Sequence, residues 1–180
     1  MDANQFKYDD TGLRFMAAVL RAKTSVKVGI LKGNHDGKDT ERHDGSGLSN
    51  AAVGAVHEYG SFTGGFGKHP IPRRSFLHDP LKSKRLKILD RAKRGFLLAL
   101  KGAPAVDFWD AIGAEMVRTV LQSFANSGPG WAPLSPVTIA LRKRAHKGRN
   151  GGGEKPLIDT GELRKSISFR VDQVGGQNAP

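Results

Sequence analysis

Two stretches with the two-residue alternation of a β-strand stand at opposite ends of this 180-residue chain. The first is Val26-Lys27-Val28-Gly29-Ile30, with β-branched residues on one face. The second, over 166–172, sets Ile167, Phe169 and Val171 against Ser168, Arg170 and Asp172. A lone strand leaves its backbone groups unpaired, so each needs a partner, and the simplest partner for each is the other. That pairing requires everything between them to fold as one body and predicts an α+β domain. Its small sheet, antiparallel or mixed, packs against two long helices and carries long exposed loops.

The helical periodicity fills in the rest. Leu13, Met16, Ala17 and Leu20 predict a short amphipathic helix over 12–22. Ser49 or Asn50 can cap a helix over 51–59, with Gly60 supplying a left-handed residue to end it. Residues 82–101 form a basic amphipathic helix whose apolar face is predicted from Leu86, Leu89, Phe96, Leu97 and Leu100. Over 105–125 the residues Phe108, Ile112, Met116, Val120 and Phe124 recur every fourth position, the strongest helical signal in the chain. Ser135 and Pro136 open a further helix to about 145. Asp159 and Glu162 have capping-box spacing, predicting a short helix from Thr160. Polar, glycine-rich stretches at 32–50, 61–72 and 147–155 read as extended loops, with a polar arm at 1–11 and a polar tail at 173–180.

Composition narrows the function. The chain is 38% apolar and 26% charged, with a net charge of +12 and no cysteine. Disulfides and thiolate chemistry are thereby excluded, and a reducing cytoplasm is the expected setting. No apolar run approaches the ~20 residues of a membrane span, and Met1–Asp10 has no signal-peptide core, so a soluble, non-secreted protein without a membrane partner is expected. The positive charge gathers at 82–94 and again at Arg142, Lys143, Arg144, Lys147 and Arg149. Such clusters are either solvated faces or contacts for DNA or acidic partner surfaces.

No constellation of residues points to catalysis. The pairs His35-Asp36, His43-Asp44, His57-Glu58 and His78-Asp79 lack the converging ligands of a metal site. Gly67-Lys68 lacks the glycine and the Ser/Thr of a phosphate loop, and no Gly-x-Ser-x-Gly turn occurs. The expectation is a protein that is not an enzyme and uses no cofactor. Trp131 reads as a core anchor in preference to a stacking platform for bases.

The remaining motifs are rich in turn formers and apolar anchors. They run, in order, His57-Glu58-Tyr59-Gly60, then Ile71-Pro72-Arg73-Arg74-Ser75-Phe76-Leu77, then Trp131-Ala132-Pro133-Leu134-Ser135 with Thr138, then Pro156-Leu157-Ile158-Asp159-Thr160-Gly161-Glu162-Leu163. Their order and spacing over residues 12–172 resemble the virion-morphogenesis, or tail-completion, family of tailed bacteriophages of the Mu-like kind. The resemblance implies a structural virion protein, made in the host cytoplasm and built into the neck. There it would form a homo-oligomeric ring, six copies by the symmetry of tails. The ring would terminate the tail tube, dock the tail to the head–tail connector, adaptor or portal proteins, and pass genomic DNA through its bore. It maps the family motifs onto Glu58, Tyr59, Gly60, Pro72, Arg73, Phe76, Trp131, Leu134, Thr138, Leu157, Asp159, Thr160, Gly161 and Leu163, as assembly or motif residues without catalytic roles. In that reading helices 82–101 and 105–125 form the ring wall. Loops 32–50 and 61–72 reach neighbouring subunits or the connector, and the basic loop 142–155 reaches the bore or an adjoining ring. The rival expectation is a free-standing basic nucleic-acid-binding protein, although no helix-turn-helix or zinc-finger pattern is present. A metal-dependent nuclease built on the His–acid pairs is a distant third.

Overall fold

The computed structural model describes residues 14, 17, 23–31, 48–63, 70–101, 105–128, 130–146 and 153–174. Its elements are β1 (Lys23–Ile30), α1 (Asn50–Tyr59), α2 (His78–Ser83), α3 (Arg85–Leu100), α4 (Ala105–Ala125), α5 (Pro136–His146), α6 (Glu162–Lys165) and β2 (Ile167–Val174). The fold is α+β. Of the helix expected over 12–22, Arg14 and Ala17 are described and both are helical. Most of loop 32–50, the centre of loop 61–72, and the 147–152 stretch with Lys147 and Arg149 lie outside the described residues.

The two strands pair with each other, antiparallel, from Lys23↔Val174 to Ile30↔Ile167. This register puts Val26 beside Val171, Val28 beside Phe169 and Ile30 beside Ile167 on one face, because side chains alternate with period two. The opposite face is polar. There Asp172 takes Lys27 at 2.6 Å and Arg170 at 2.6 Å, and these two partners hold its carboxyl below the usual 3.8.

The apolar face lies on α4. Phe169 comes so close to the helix that a Cβ at Gly113 would overlap its ring. Phe76, Val120, Phe124, Leu157, Leu163 and Ile167 form the buried core, with Trp131 packed against it. Phe124 meets Phe76 at a ring separation of 5.2 Å and Trp131 edge-on at 6.1 Å. The Trp131 indole N–H donates to the Ser75 carbonyl at 3.1 Å, so this tryptophan anchors the core, its polar tip satisfied as a buried indole requires.

Three expectations need correction. The basic segment is two helices, α2 and α3, broken at Lys84. Of the apolar face expected on α3, Phe96 packs inward and the leucines at 86, 89 and 97 do not. Leu86, Leu89 and Leu97 are 82%, 51% and 47% exposed, whereas Ile88, Ala92, Gly95 and Phe96 are half-buried. Gly95 allows Phe108 of α4 to lie against the α3 backbone, and the Phe96 and Phe108 rings meet tilted, 6.2 Å apart; close helix approach at a glycine outcompetes the bulkier leucines. Lys87, Arg91 and Arg118 reinforce this seam by converging on the buried Glu115 at 3.8, 3.7 and 3.4 Å.

The third correction concerns the capping box. α6 starts at Glu162, with Gly161 (φ 85) at its N-cap position and no side-chain cap. Asp159 is instead drawn to Arg142, 3.6 Å away. The N-cap of α1 follows expectation, Ser49 Oγ accepting from the Ala52 N–H at 3.1 Å, but the C-cap does not. Gly60 ends the helix with φ 79, but its ψ of 172 lies outside the left-handed helical region. Ser135 Oγ accepts from the Thr138 N–H at 3.1 Å, capping α5 as expected.

Candidate assembly surface

Glu58 is the organising residue of the first motif. It sits in the last turn of α1 and is buried. After Gly60 the chain turns back: Ser61 and Ile71 exchange two backbone hydrogen bonds, and the Arg74 N–H donates to the His57 carbonyl at 2.7 Å. The return is so close that a Cβ at Gly60 would lie 3.1 Å from both the Arg73 nitrogen and the Ile71 oxygen. This path delivers the start of α2 to the Glu58 carboxylate. Oε2 accepts from the Phe76 and Leu77 N–H groups at 3.0 Å each. Oε1 accepts from Ser75 Oγ at 2.6 Å and the His78 N–H at 3.0 Å. A carboxylate from a distant helix thus satisfies donors that the first turn of α2 cannot pair for itself.

Around this hub lies an exposed polar ring. Asp79 accepts two bonds from Arg73, at 2.8 and 2.9 Å, and lies 2.9 Å from His78 Nδ1. Arg73 first, then His78, lowers the Asp79 pKa from 3.8 to about 2. A carboxyl depressed by folding adds stability above its ordinary pKa and loses that contribution as pH falls through the folded value. The Asp79 share is therefore lost between about pH 4 and pH 2. In Arg73→Met the Asp79 titration midpoint, read by NMR, is expected to move back up towards the ordinary value; an unchanged midpoint would remove Arg73 as its cause.

Two arginines clamp the later motifs, and sequence reasoning singled out neither for this role. Arg74 is buried and donates from Nε to the Ala132 carbonyl at 2.8 Å and from Nη2 to the Pro133 carbonyl at 3.0 Å. Burial, and then the nearby Arg142 charge, lower its pKa below the ordinary arginine value. Arg142 donates from Nη1 to the carbonyls of Gly153, Lys155 and Ile158, at 3.1, 3.1 and 2.8 Å. With a side chain only 14% exposed, Arg142 faces inward and not towards a polyanion. It holds the segment in which Leu157 is buried with a left-handed backbone, φ 63, a conformation that costs a branched residue ~1 kcal/mol or more. Its neighbours Lys143 and Arg144 are exposed, and Lys143 pairs with Glu154 at 3.2 Å. Arg142→Ala is expected to cost about 2 kcal/mol and Arg144→Ala under about 0.5 kcal/mol in urea denaturation. Equal losses would contradict the clamp.

The motif residues therefore divide. Glu58, Phe76, Leu157 and Leu163 are buried and Trp131, Leu134 and Thr138 half-buried. Tyr59, Pro72, Arg73 and Thr160 are exposed, and Gly161 has no atom near its missing Cβ. Phe76, Leu157 and Leu163 meet in one core with Trp131 against it; Tyr59 and Thr160 do not join it.

The surface feature with the clearest shape is an open apolar cleft of about 800 Å³ between α4 and β2. Val117, Leu121, Ile167 and Phe169 form its floor, and Arg118, Arg164 and Lys165 stand around it. No residue of β1 lines it, so it opens on the outer side of β2. Among the described residues that outer edge has no strand partner. Among them too, no three His, Cys, Asp or Glu side chains converge as metal ligands, and no helix is long and apolar enough to cross a membrane.

No family model, curated protein or solved structure matches this chain.

Proposed function

We propose that this protein is a structural neck component of a tailed bacteriophage, of the virion-morphogenesis or tail-completion kind. Copies join head-to-tail into a ring, six-fold in the resemblance, that ends the tail tube and joins it to the head connector. Genomic DNA passes through the bore. The phage assignment rests on the ordered motifs. The observation that carries assembly is the apolar cleft beside the first residues of β2, whose outer edge has no strand partner among the described residues. An open strand edge invites pairing with another chain, and an apolar floor beside it buries the side chains such a strand brings. The β1 edge on the opposite side of the sheet is different in sequence. A contact between unlike edges is heterologous, and heterologous contacts that close make rings.

The buried motif cluster supports the same reading. Motifs far apart in sequence make one physical unit, so their joint occurrence has a common cause in how this fold is held. The exposed cations Lys143 and Arg144, with the net charge of +12, suit a bore that admits DNA.

The test is the solution mass of the purified protein at low and moderate salt, with and without DNA, for the native chain and Ala114→Arg. Ala114 is exposed and lines the cleft. A ring-sized native oligomer, reduced to monomer by Ala114→Arg with melting unchanged, is the expected result. A native monomer whose DNA affinity collapses as salt rises would replace this proposal with a nucleic-acid-binding protein.

A further inference from the structure

The leucines of α3 raise a separate question, because they belong by sequence to a buried face and stand outside. Leu86, Leu89 and Leu97 are exposed, and with Lys93 they fall at i, i+3, i+7 and i+11, one stripe along a helix. Leu86, Leu89 and Lys93 have the 3–4 spacing of a coiled-coil seam, and Leu97 stands one place past the next seam position, which Phe96 holds, on the same exposed stripe. The side of α3 that meets α4 is the other one, carrying Ile88, Ala92, Gly95 and Phe96.

The charge on this helix decides what covers the stripe. Between Lys82 and Leu98 there are seven Lys or Arg and a single acid, Asp90. Lys87 and Arg91 are turned towards Glu115, and Asp90 is held by Arg94 at 2.9 Å. Lys93 stays in the middle of the apolar stripe, exposed. A second copy of α3 would set Lys93 and its flanking cations against their own like, which an apolar seam in low dielectric penalises. An acidic helix would place carboxylates opposite Lys93 and the flanks, and leucines against leucines. DNA would satisfy the charge and leave the leucines wet.

We propose that the outer face of α3 is a docking surface for an amphipathic helix of an acidic partner protein, seated along Leu86, Leu89, Lys93 and Leu97. The site lies on a different element pair from the cleft beside β2 and does not depend on the ring. It makes α3 a point of attachment to a different protein and leaves self-association to other faces.

The test uses a labelled three-heptad peptide with leucine seams and glutamate flanks, a scrambled peptide of identical composition, and anionic phospholipid vesicles. Fluorescence anisotropy is measured on the full chain, on Leu86→Ser/Leu89→Ser/Leu97→Ser, and on Lys93→Glu. The patterned peptide is expected to bind, and each variant to weaken it by about tenfold or more, with solution mass and melting temperature retained because the substituted residues are exposed. Equal binding of the scrambled peptide would overturn the proposal by leaving charge alone. A fall in oligomer mass in the triple variant would overturn it in favour of a second copy. Leucine-dependent binding to vesicles without peptide binding would overturn it in favour of a lipid surface. Should the triple variant melt early, Lys93→Glu decides: unchanged peptide affinity sinks the proposal.

Discussion

Glu58→Ala is expected to lower the unfolding free energy by about 3–5 kcal/mol and the melting temperature by roughly ten degrees. The size follows from what the carboxylate does. It takes four hydrogen bonds, three from backbone N–H groups of Phe76, Leu77 and His78 and one from Ser75 Oγ. The Ser75 and Phe76 donors are buried and those of Leu77 and His78 part-buried, so an unsatisfied group carries much of its desolvation cost. Phe76, held by one of these bonds, is itself a core ring, so the loss propagates into packing. Glu58→Gln is expected to recover only part of the difference, since one oxygen remains an acceptor while the amide nitrogen is turned on N–H donors. Arg73→Ala, which removes only an exposed pair, should cost far less than Glu58→Ala. Urea denaturation of the three variants checks the order. A Glu58→Ala protein as stable as the native chain would mean that the carboxylate is not the keystone of this turn.

Gly113→Val is expected to cost about 3 kcal/mol, in a helix where removing a glycine would ordinarily gain up to about 1 kcal/mol. The Phe169 ring already occupies the space any Cβ would take. The ring has to leave its rotamer or α4 has to move off the sheet, and either uncovers Val28 and Val171 beside it. Hydrogen exchange should speed at the β1 and β2 amides while the α3–α4 seam stays protected. The double variant Gly113→Val/Phe169→Ala provides the decisive check. If the clash is the cause, the two substitutions are strongly non-additive. Simple addition would place the cost elsewhere.

Much of this fold is legible in the chain. Alternation in two short stretches finds both strands, and the need of each for a partner finds their pairing. The four-residue recurrence from Phe108 to Phe124 finds α4 because all its apolar groups lie on one stripe. The leucines of α3 mislead for a physical reason: hydropathy ranks Leu86 and Leu97 above Ala92 and Gly95, but helix–helix distance rewards the small residues. Asp159 misleads because spacing alone does not reveal a competitor. Arg142, distant in sequence, draws the carboxylate, and Gly161 takes the position expected of a cap. The candidate surface is less legible still. The motifs point to Glu58, Phe76 and Leu163, which are buried and hold the body together. The cleft is made by Val117, Leu121 and Phe169, which in sequence look like any other core residues. Only the position of the sheet's edge relative to α4 leaves them uncovered.

The pairing of β1 with β2 has a consequence for how the protein comes into being. Ile30 meets Ile167, so the first strand must wait through the synthesis of nearly the whole body before its partner exists. Local helices close early, whereas a contact of such sequence separation is late and slow. On the ribosome β1 is an unpaired apolar strand for most of translation, a state prone to misassociation. The lysines at its start and centre, Lys23 and Lys27, are suited to keep it apart from other chains meanwhile. The cleft beside β2 is completed only when that last strand docks. A half-made chain therefore has no finished surface to offer a neighbour, and the order of synthesis itself keeps assembly from starting before folding has ended.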